Sequence, residues 1–145
     1  AQKGNAQAQY ELGQLIYRGK GIAKDKNTGF VWMLESAEKG YAPAQVSVGE
    51  SYYWGIGTIK DKFKAVEWYQ KASAQKSVNG IYLLSQAYAK GSGVQQNIVK
   101  GNQLRLQAAE LGYVPAMIDL AQAYNTGESE SSTVKDLKKS FFLLV

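Results

Sequence analysis

Ser36 and Ser73 each stand three residues before a lysine, Lys39 and Lys76, and Ser-x-x-Lys is a spacing in which an amine can activate a hydroxyl nucleophile. Such a pair would serve an enzyme acting on cell-wall or β-lactam-like substrates. Both serines, however, occupy positions that other segments of the chain fill with Ala72 and Ala108, or with Ala37 and Ala109, so they read as small packing residues and no catalytic residue is assigned. Gly19-Lys20-Gly21, with its copies Gly55-Ile56-Gly57 and Gly91-Ser92-Gly93, has the glycine density of a phosphate loop but neither the Gly-Lys-Ser/Thr ending nor a preceding strand. Asp25, Asp61, Asn97 and Asp136 recur a full segment apart, without the clustered oxygen ligands of a calcium loop. The chain has no cysteine and no histidine, which removes disulfides, thiol nucleophiles, imidazole bases and the usual zinc ligands together. We therefore expect no cofactor and no metal.

The 145 residues carry a net charge of +5, but 15 of the 17 basic residues are lysine and only Arg18 and Arg105 are arginine. Phosphate forks and base edges favour arginine, and these lysines are interleaved with Asp and Glu, so nucleic acid is not the expected partner. No run of 18 apolar residues is present, and hence no membrane-spanning helix is expected.

What must position any functional group is a repeat. Ala8, Leu12, Gly13, Gly19, Asp25 and Trp32 return 36 residues later as Ala44, Val48, Gly49, Gly55, Asp61 and Trp68, then more loosely as Gly80, Leu84, Ser85, Gly91, Asn97 and Leu104. A fourth copy has Ala116, Leu120, Ala121 and Gly127, then slips so that Asp136 and Leu143 fill the last slots. A fixed period of this length marks a solenoid, in which function is sought on a surface. Within each copy, apolar residues at i, i+4 and i+8 (Ala44, Val48, Tyr52) make one helix, with a small residue at position 13, 49, 85 or 121 implying close approach of a second helix. The first glycine of each Gly-x-Gly ends that helix with positive φ, and the Asp or Asn caps the next one. In the second helix Trp32 and Trp68, bracketed by small residues, are expected in the core. Each copy closes at Gly40, Lys76 or Gly112, and the lysine predicts a local irregularity in the stacking between the second and third repeats.

The pattern predicts an all-α fold with helices near residues 5–18, 26–39, 42–54, 62–75, 78–90, 98–111, 114–126 and 136–145. The repeats are about 5–40, 41–76, 77–112 and 113–145, the last incomplete, with residues 1–4 ending a preceding repeat. We expect the chain to be a fragment of a longer protein. Phe141, Phe142, Leu143 and Leu144 then have no following repeat to cover them, which predicts self-association through the C-terminal end.

Taken as a string, these residues resemble the Sel-one-like repeat family, a 36-residue relative of the tetratricopeptide repeat. Residues 40–73 fit its pattern nearly throughout, through Ala44, Gly49, Tyr52, Gly55, Gly57, Asp61, Lys64, Ala65, Trp68, Lys71 and Ala72. Ile16 for Tyr, Gly29 and Gly101 for Ala, Leu104 for Trp, and a stretched Gly127–Thr133 loop depart from it. The resemblance implies an α/α superhelical solenoid of antiparallel helix pairs, right-handed, whose first helices line a concave face. It also implies a scaffold or adaptor binding a protein or peptide partner, in bacteria often exported to a periplasmic or secreted setting and linked to envelope or host interactions. A cysteine-rich secreted branch of that family is associated with β-lactam binding or hydrolysis, and a chain without cysteine does not belong to it.

By that analogy the variable first-helix positions are the candidate partner-binding residues. They are Tyr10, Gln14, Tyr17 and Arg18, with Gln7, in the first repeat; Glu50, Tyr53 and Trp54, with Val46, in the second; Tyr82, Gln86 and Lys90, with Asn79, in the third; and Gln122 and Asn125, with Ile118, in the fourth. Amides, aromatics and both charge signs suit a peptide or a loop of a partner. The pair Tyr53-Trp54 is the most suggestive, because Val48 and Tyr52 already supply the core of that helix. An inert spacer between flanking domains is the remaining alternative.

Overall fold

The computed structural model describes residues 2–19 and 24–125, and among these every regular element is a helix: α1 (Gln2–Arg18), α2 (Lys26–Glu38), α3 (Ala42–Trp54), α4 (Lys62–Ala74), α5 (Val78–Lys90), α6 (Ile98–Glu110) and α7 (Val114–Asn125). The helix expected at 136–145, the slots of Asp136 and Leu143, the 127–133 loop, the tail Phe141, Phe142, Leu143 and Leu144, and Lys20, Gly21 and Ile22 lie outside the described residues. Only α1 begins well away from its expected start. Its helical backbone runs through Gly4 from Gln2, since glycine weakens a helix by about 1 kcal/mol without breaking it.

Local chemistry places the helix ends. Asp25, Asp61 and Asn97 sit in extended backbone, and their side chains accept from the N–H groups of Thr28, Lys64 and Lys100 at 3.1, 3.1 and 3.0 Å. Each such cap contributes about 1 kcal/mol. The backbone N–H of the same residue also reaches back to the preceding helix, Asp25 to the carbonyl of Ile16, Asp61 to Tyr52 and Asn97 to Tyr88, at 2.8–3.0 Å. Cap and tie share one residue, so the hairpin angle is set where the second helix starts.

The closing turns are alike. Gly40 and Gly112 adopt φ of 92° and 89°, and Lys76 takes the same left-handed conformation at 61°. The hydrogen bonds match too: Gly40 to Ala37 and Tyr41 to Ser36, Lys76 to Ser73 and Ser77 to Ala72, Gly112 to Ala109 and Tyr113 to Ala108. At the turn itself, lysine therefore follows the glycine path, at the cost of strain.

The chain divides into two compact units, Ala1–Gly80 and Ile81–Val145. In the first, α1 meets α2 backbone to backbone. A Cβ on Gly13 would lie 2.9 Å from the carbonyl oxygen of Gly29, and one on Gly29 would lie 2.7 Å from that of Gly13. At Gly49 a ring fills the equivalent space, with Tyr69 carbons 2.5 and 2.7 Å from where a Cβ would stand. Tyr69 is 3% exposed and Phe30 6%, whereas Trp32 and Trp68 are only half-buried, with the Lys71 ammonium 4.2 Å above the Trp68 ring. This corrects the expectation for the tryptophans. One helical step of about 100° separates residues 68 and 69, and Gly49 faces the second of them. Truncation worth roughly 3–5 kcal/mol thus belongs to Tyr69. In the second unit Gly101 plays the same part, a Cβ there standing 2.9 Å from the carbonyl oxygen of Ser85.

Candidate functional site

Within the first unit, the last two turns of α1 and the facing turns of α3 leave a cleft of about 180 Å³. Gln14, Tyr17 and Arg18 come from α1, and Ser47, Glu50, Ser51 and Trp54 from α3; Met33 of α2 and Ile56 after α3 complete the lining. Residues 47, 50, 51 and 54 share one face by helical spacing, as do 14, 17 and 18. Five of the sequence candidates in the first repeat and its neighbour thus meet here: Gln14, Tyr17, Arg18, Glu50 and Trp54.

A hydrogen-bonded network adjoins the cleft. The Tyr10 hydroxyl meets the Ser47 hydroxyl at 3.0 Å and accepts from the Gln14 amide, and its ring packs edge-on against Tyr41 at 5.5 Å. Tyr17 has the Lys26 ammonium 5.6 Å from its ring centre, and its pKa is raised by burial and by the charge of Glu50, with Ser51 partly offsetting both. Glu50 is exposed over much of its surface, yet its carboxyl is withdrawn enough that burial raises its pKa. Arg18 is exposed and Trp54 is 65% exposed. The ion pair found among the described residues is in the other unit, so Glu50 and Arg18 line one cleft without pairing there.

Tyr53 does not line the cleft. Its ring is edge-on to Trp54 at 4.9 Å and carries the Lys62 ammonium at 5.1 Å, the same pairing that Lys26 and Tyr17 make one repeat earlier. Val46 is 8% exposed, which corrects its assignment to the free face: on α3 it joins Val48 in the core. Gln7 is exposed, donates to Glu11 at 3.1 Å and lines a separate cavity of about 420 Å³ with Gly4, Ala6, Tyr41, Pro43 and Gln75. Asn79 is exposed.

The second unit builds a related network from Tyr82 and Gln86 of α5. The Tyr82 hydroxyl donates to Asp119 of α7 at 2.6 Å and accepts from the Gln86 amide at 3.1 Å, and its ring lies 5.0 Å from that of Tyr113. The Arg105 Nε of α6 stands 3.9 Å from the Asp119 carboxylate; it is buried and makes no hydrogen bond, while a terminal nitrogen of the same guanidinium reaches Asn102 at 3.5 Å. Burial, then the hydrogen bond and charge of Asp119, push the Tyr82 pKa up to about 12, with Arg105 and Gln86 offsetting part of it. Lys90, Ile118 and Gln122 are exposed, and the side chain of Asn125 lies outside the described residues.

Sequence reasoning missed Met33, Tyr41, Ser47, Arg105, Tyr113 and Asp119. A signal was available at twice the repeat. Tyr10, Gln14, Tyr41 and Pro43 recur 72 residues on as Tyr82, Gln86, Tyr113 and Pro115, whereas the intervening copy has Val46, Glu50, Ser77 and Asn79. Alignment at 36 residues treats those sites as free variation.

The Serx-x-Lys reading meets a packing fact: Ser36 is fully buried and its hydroxyl donates to the carbonyl of Ala6 across the α1–α2 contact. No described helix is long and apolar enough to cross a membrane.

The model of the Sel1 repeat matches four times, at residues 6–41, 42–77, 78–113 and 114–144, each offset by about one residue from the repeats expected above. Among solved structures the chain is similar to a protective antigen present in uropathogenic Escherichia coli strains displaying an SLR fold, at 28% identity and a TM-score of 0.83, covering 99% of this chain and 31% of that one. It is also similar to a Sel1 repeat protein from Oxalobacter formigenes, at 29% identity and a TM-score of 0.76, covering 82% and 90%. Cysteine-rich protein B of Helicobacter pylori, at 21% identity and a TM-score of 0.62 over 79% and 91%, shares the fold. No curated protein matches the sequence significantly. The fold class is thereby the all-α solenoid of helix pairs with a repeat of about 36 residues.

Proposed function

The chain belongs to the Sel1-repeat family, whose members are generally protein-interaction scaffolds, and from that premise we propose that it binds a peptide or protein segment on its first-helix face, at the cleft between α1 and α3. The observation that carries this reading is the company kept in that cleft: an exposed Trp54 and two charges of opposite sign, Glu50 and Arg18, with no ion pair between them. An aromatic surface beside unspent hydrogen-bonding and charged groups is what the centre of a protein interface needs and what a core does not. The inert-spacer alternative leaves that arrangement without a use.

Binding without catalysis is part of the reading. It is supported by the family's typical character and by the burial of Ser36, whose hydroxyl is engaged by a backbone carbonyl. A bacterial envelope or host-facing setting is the finer part, supported by the Escherichia coli relative being a protective antigen, a chain of which this one matches about a third. The test is selection of random peptides on the immobilised chain, repeated with Trp54→Ala. Because Trp54 is mostly exposed, the variant keeps the fold; peptides retained equally by both proteins would overturn the reading.

A further inference from the structure

Resting on the cleft as the binding site, we propose that its specificity element is Glu50 and that the partner segment presents a lysine or arginine side chain to it. Size comes first. A volume of about 180 Å³ is below the roughly 300–1,000 Å³ of sites that enclose a small molecule, and equals about six waters, so it admits one side chain of a longer segment. Chemistry decides which side chain. Glu50 has no hydrogen bond and no ion pair with a described residue, yet it stands close enough to Tyr17 and Tyr69 for its charge to act on both. A carboxylate partly withdrawn from water and lacking a counter-charge is stabilised by an incoming cation, and it penalises an incoming carboxylate or phosphate. The stem of a lysine or arginine is apolar and extended, matched by Met33 and Trp54 in the lining, and the Trp54 ring offers a face to the cation.

Arg18 does not reverse this choice. It is exposed, so water screens its charge, while Gln14 and Ser47 are occupied by Tyr10. Its five donors suit the backbone carbonyls that flank the basic side chain. Lys26 lies over the Tyr17 ring and so occupies that ring's interaction with cations, which leaves Trp54 as the ring for the ligand.

The experiment is selection of N-acetylated random heptapeptides, which carry positive charge only through Lys or Arg, on the wild-type chain and on Glu50→Gln, Glu50→Lys and Trp54→Ala. The best wild-type peptide and its norleucine or glutamine replacement are then titrated by fluorescence anisotropy. We expect enrichment of Lys or Arg at one position and about tenfold weaker binding of that peptide by Glu50→Gln. Glu50→Lys should lose it altogether, and Trp54→Ala should bind it much more weakly. Circular dichroism melting of each variant excludes unfolding as the cause. Peptides that depend on Trp54 but show no basic preference, or bind Glu50→Gln unchanged, would overturn the inference and leave the scaffold reading standing. Peptides indifferent to Trp54, or no enrichment at all, would overturn both.

Discussion

Tyr10 in the first unit and Tyr82 in the second hold the same place in their helices, accept from a glutamine one turn on, and lean on a second tyrosine ring at 5.5 and 5.0 Å, yet they end on different partners. Tyr10 meets the hydroxyl of Ser47, whereas Tyr82 donates to the carboxylate of Asp119, which Arg105 approaches at 3.9 Å where the first unit has Met33. A neutral network needs nothing from its surroundings beyond hydrogen-bond geometry. The charged one must hold an aspartate and an arginine together in partly buried positions, so each ion depends on the other being there. In the first unit the free charges are displaced one turn along α3, to Glu50 in the cleft; in the second, charge is drawn into the network itself. One scaffold thus supports either a poised surface carboxylate or an internally spent one.

Removing the acceptors separates the two cases most widely. Asp119→Ala leaves the Arg105 Nε buried without its counter-charge and the Tyr82 hydroxyl without its acceptor, and we expect a loss of about 2–3 kcal/mol by chemical denaturation. Ser47→Ala deletes one neutral hydrogen bond and should cost about 0.5–1.5 kcal/mol. Equal losses would mean that the charge contributes nothing. The sharper version is Asp119→Ser with Arg105→Met, which rebuilds the composition of the first unit inside the second. Most of the loss should then return, because replacing an ion pair costs less than breaking one.

Alkaline pH gives the next largest separation. Tyr82 is raised from 10.0 to about 12 in the folded chain, so the native state holds the proton more tightly than the unfolded one. Its contribution to stability is therefore complete below pH 10 and is lost as pH rises from there towards about 12. Tyr17 and Tyr69 are raised as well and add to the same slope, which makes the informative quantity a difference. Tyr82→Phe should lower stability at neutral pH through the lost hydrogen bond and should flatten the decline between those limits. A slope identical to wild type, in denaturation midpoints measured across that range, would show that neither burial nor Asp119 holds the Tyr82 proton.

Helix positions were legible because their ends are written in local chemistry: Asp25, Asp61 and Asn97 cap, and Gly19, Gly55 and Gly91 turn, by rules that act within five residues. Which aromatic fills the core was not legible. Trp68 and Tyr69 are neighbours, both large, and only the direction of the approaching α3, set by Gly49, chooses between them. The two networks were hidden for a related reason. Ser47 and Asp119 lie 37 residues beyond their tyrosines, one residue past the repeat, so they pair across adjacent first helices and leave no mark in any single copy. Cleft residues such as Arg18, Glu50 and Trp54 could be proposed from variability, but that Glu50 lacks a partner is a property of its surroundings.

The smallest effect concerns the turns that close the hairpins, where the two units share a device and one position departs from it. Gly40 and Gly112 reach φ near 90° without cost, whereas Lys76 reaches 61° with a Cβ that crowds its own carbonyl, a strain of roughly 1–2 kcal/mol. Lys76 is exposed, and the hydrogen bonds of its turn come from the backbone alone, so its side chain supplies nothing in return. Glycine there loses more chain entropy on folding, which offsets part of the relief. Lys76→Gly should therefore stabilise the chain by about 0.5–1 kcal/mol, and Gly40→Ala should destabilise it by a similar amount. Both are read as shifts of the denaturation midpoint at unchanged slope. A Lys76→Gly variant no more stable than wild type would show that the ammonium makes a compensating contact, and that this turn is held by a side chain where its two counterparts are held by backbone geometry.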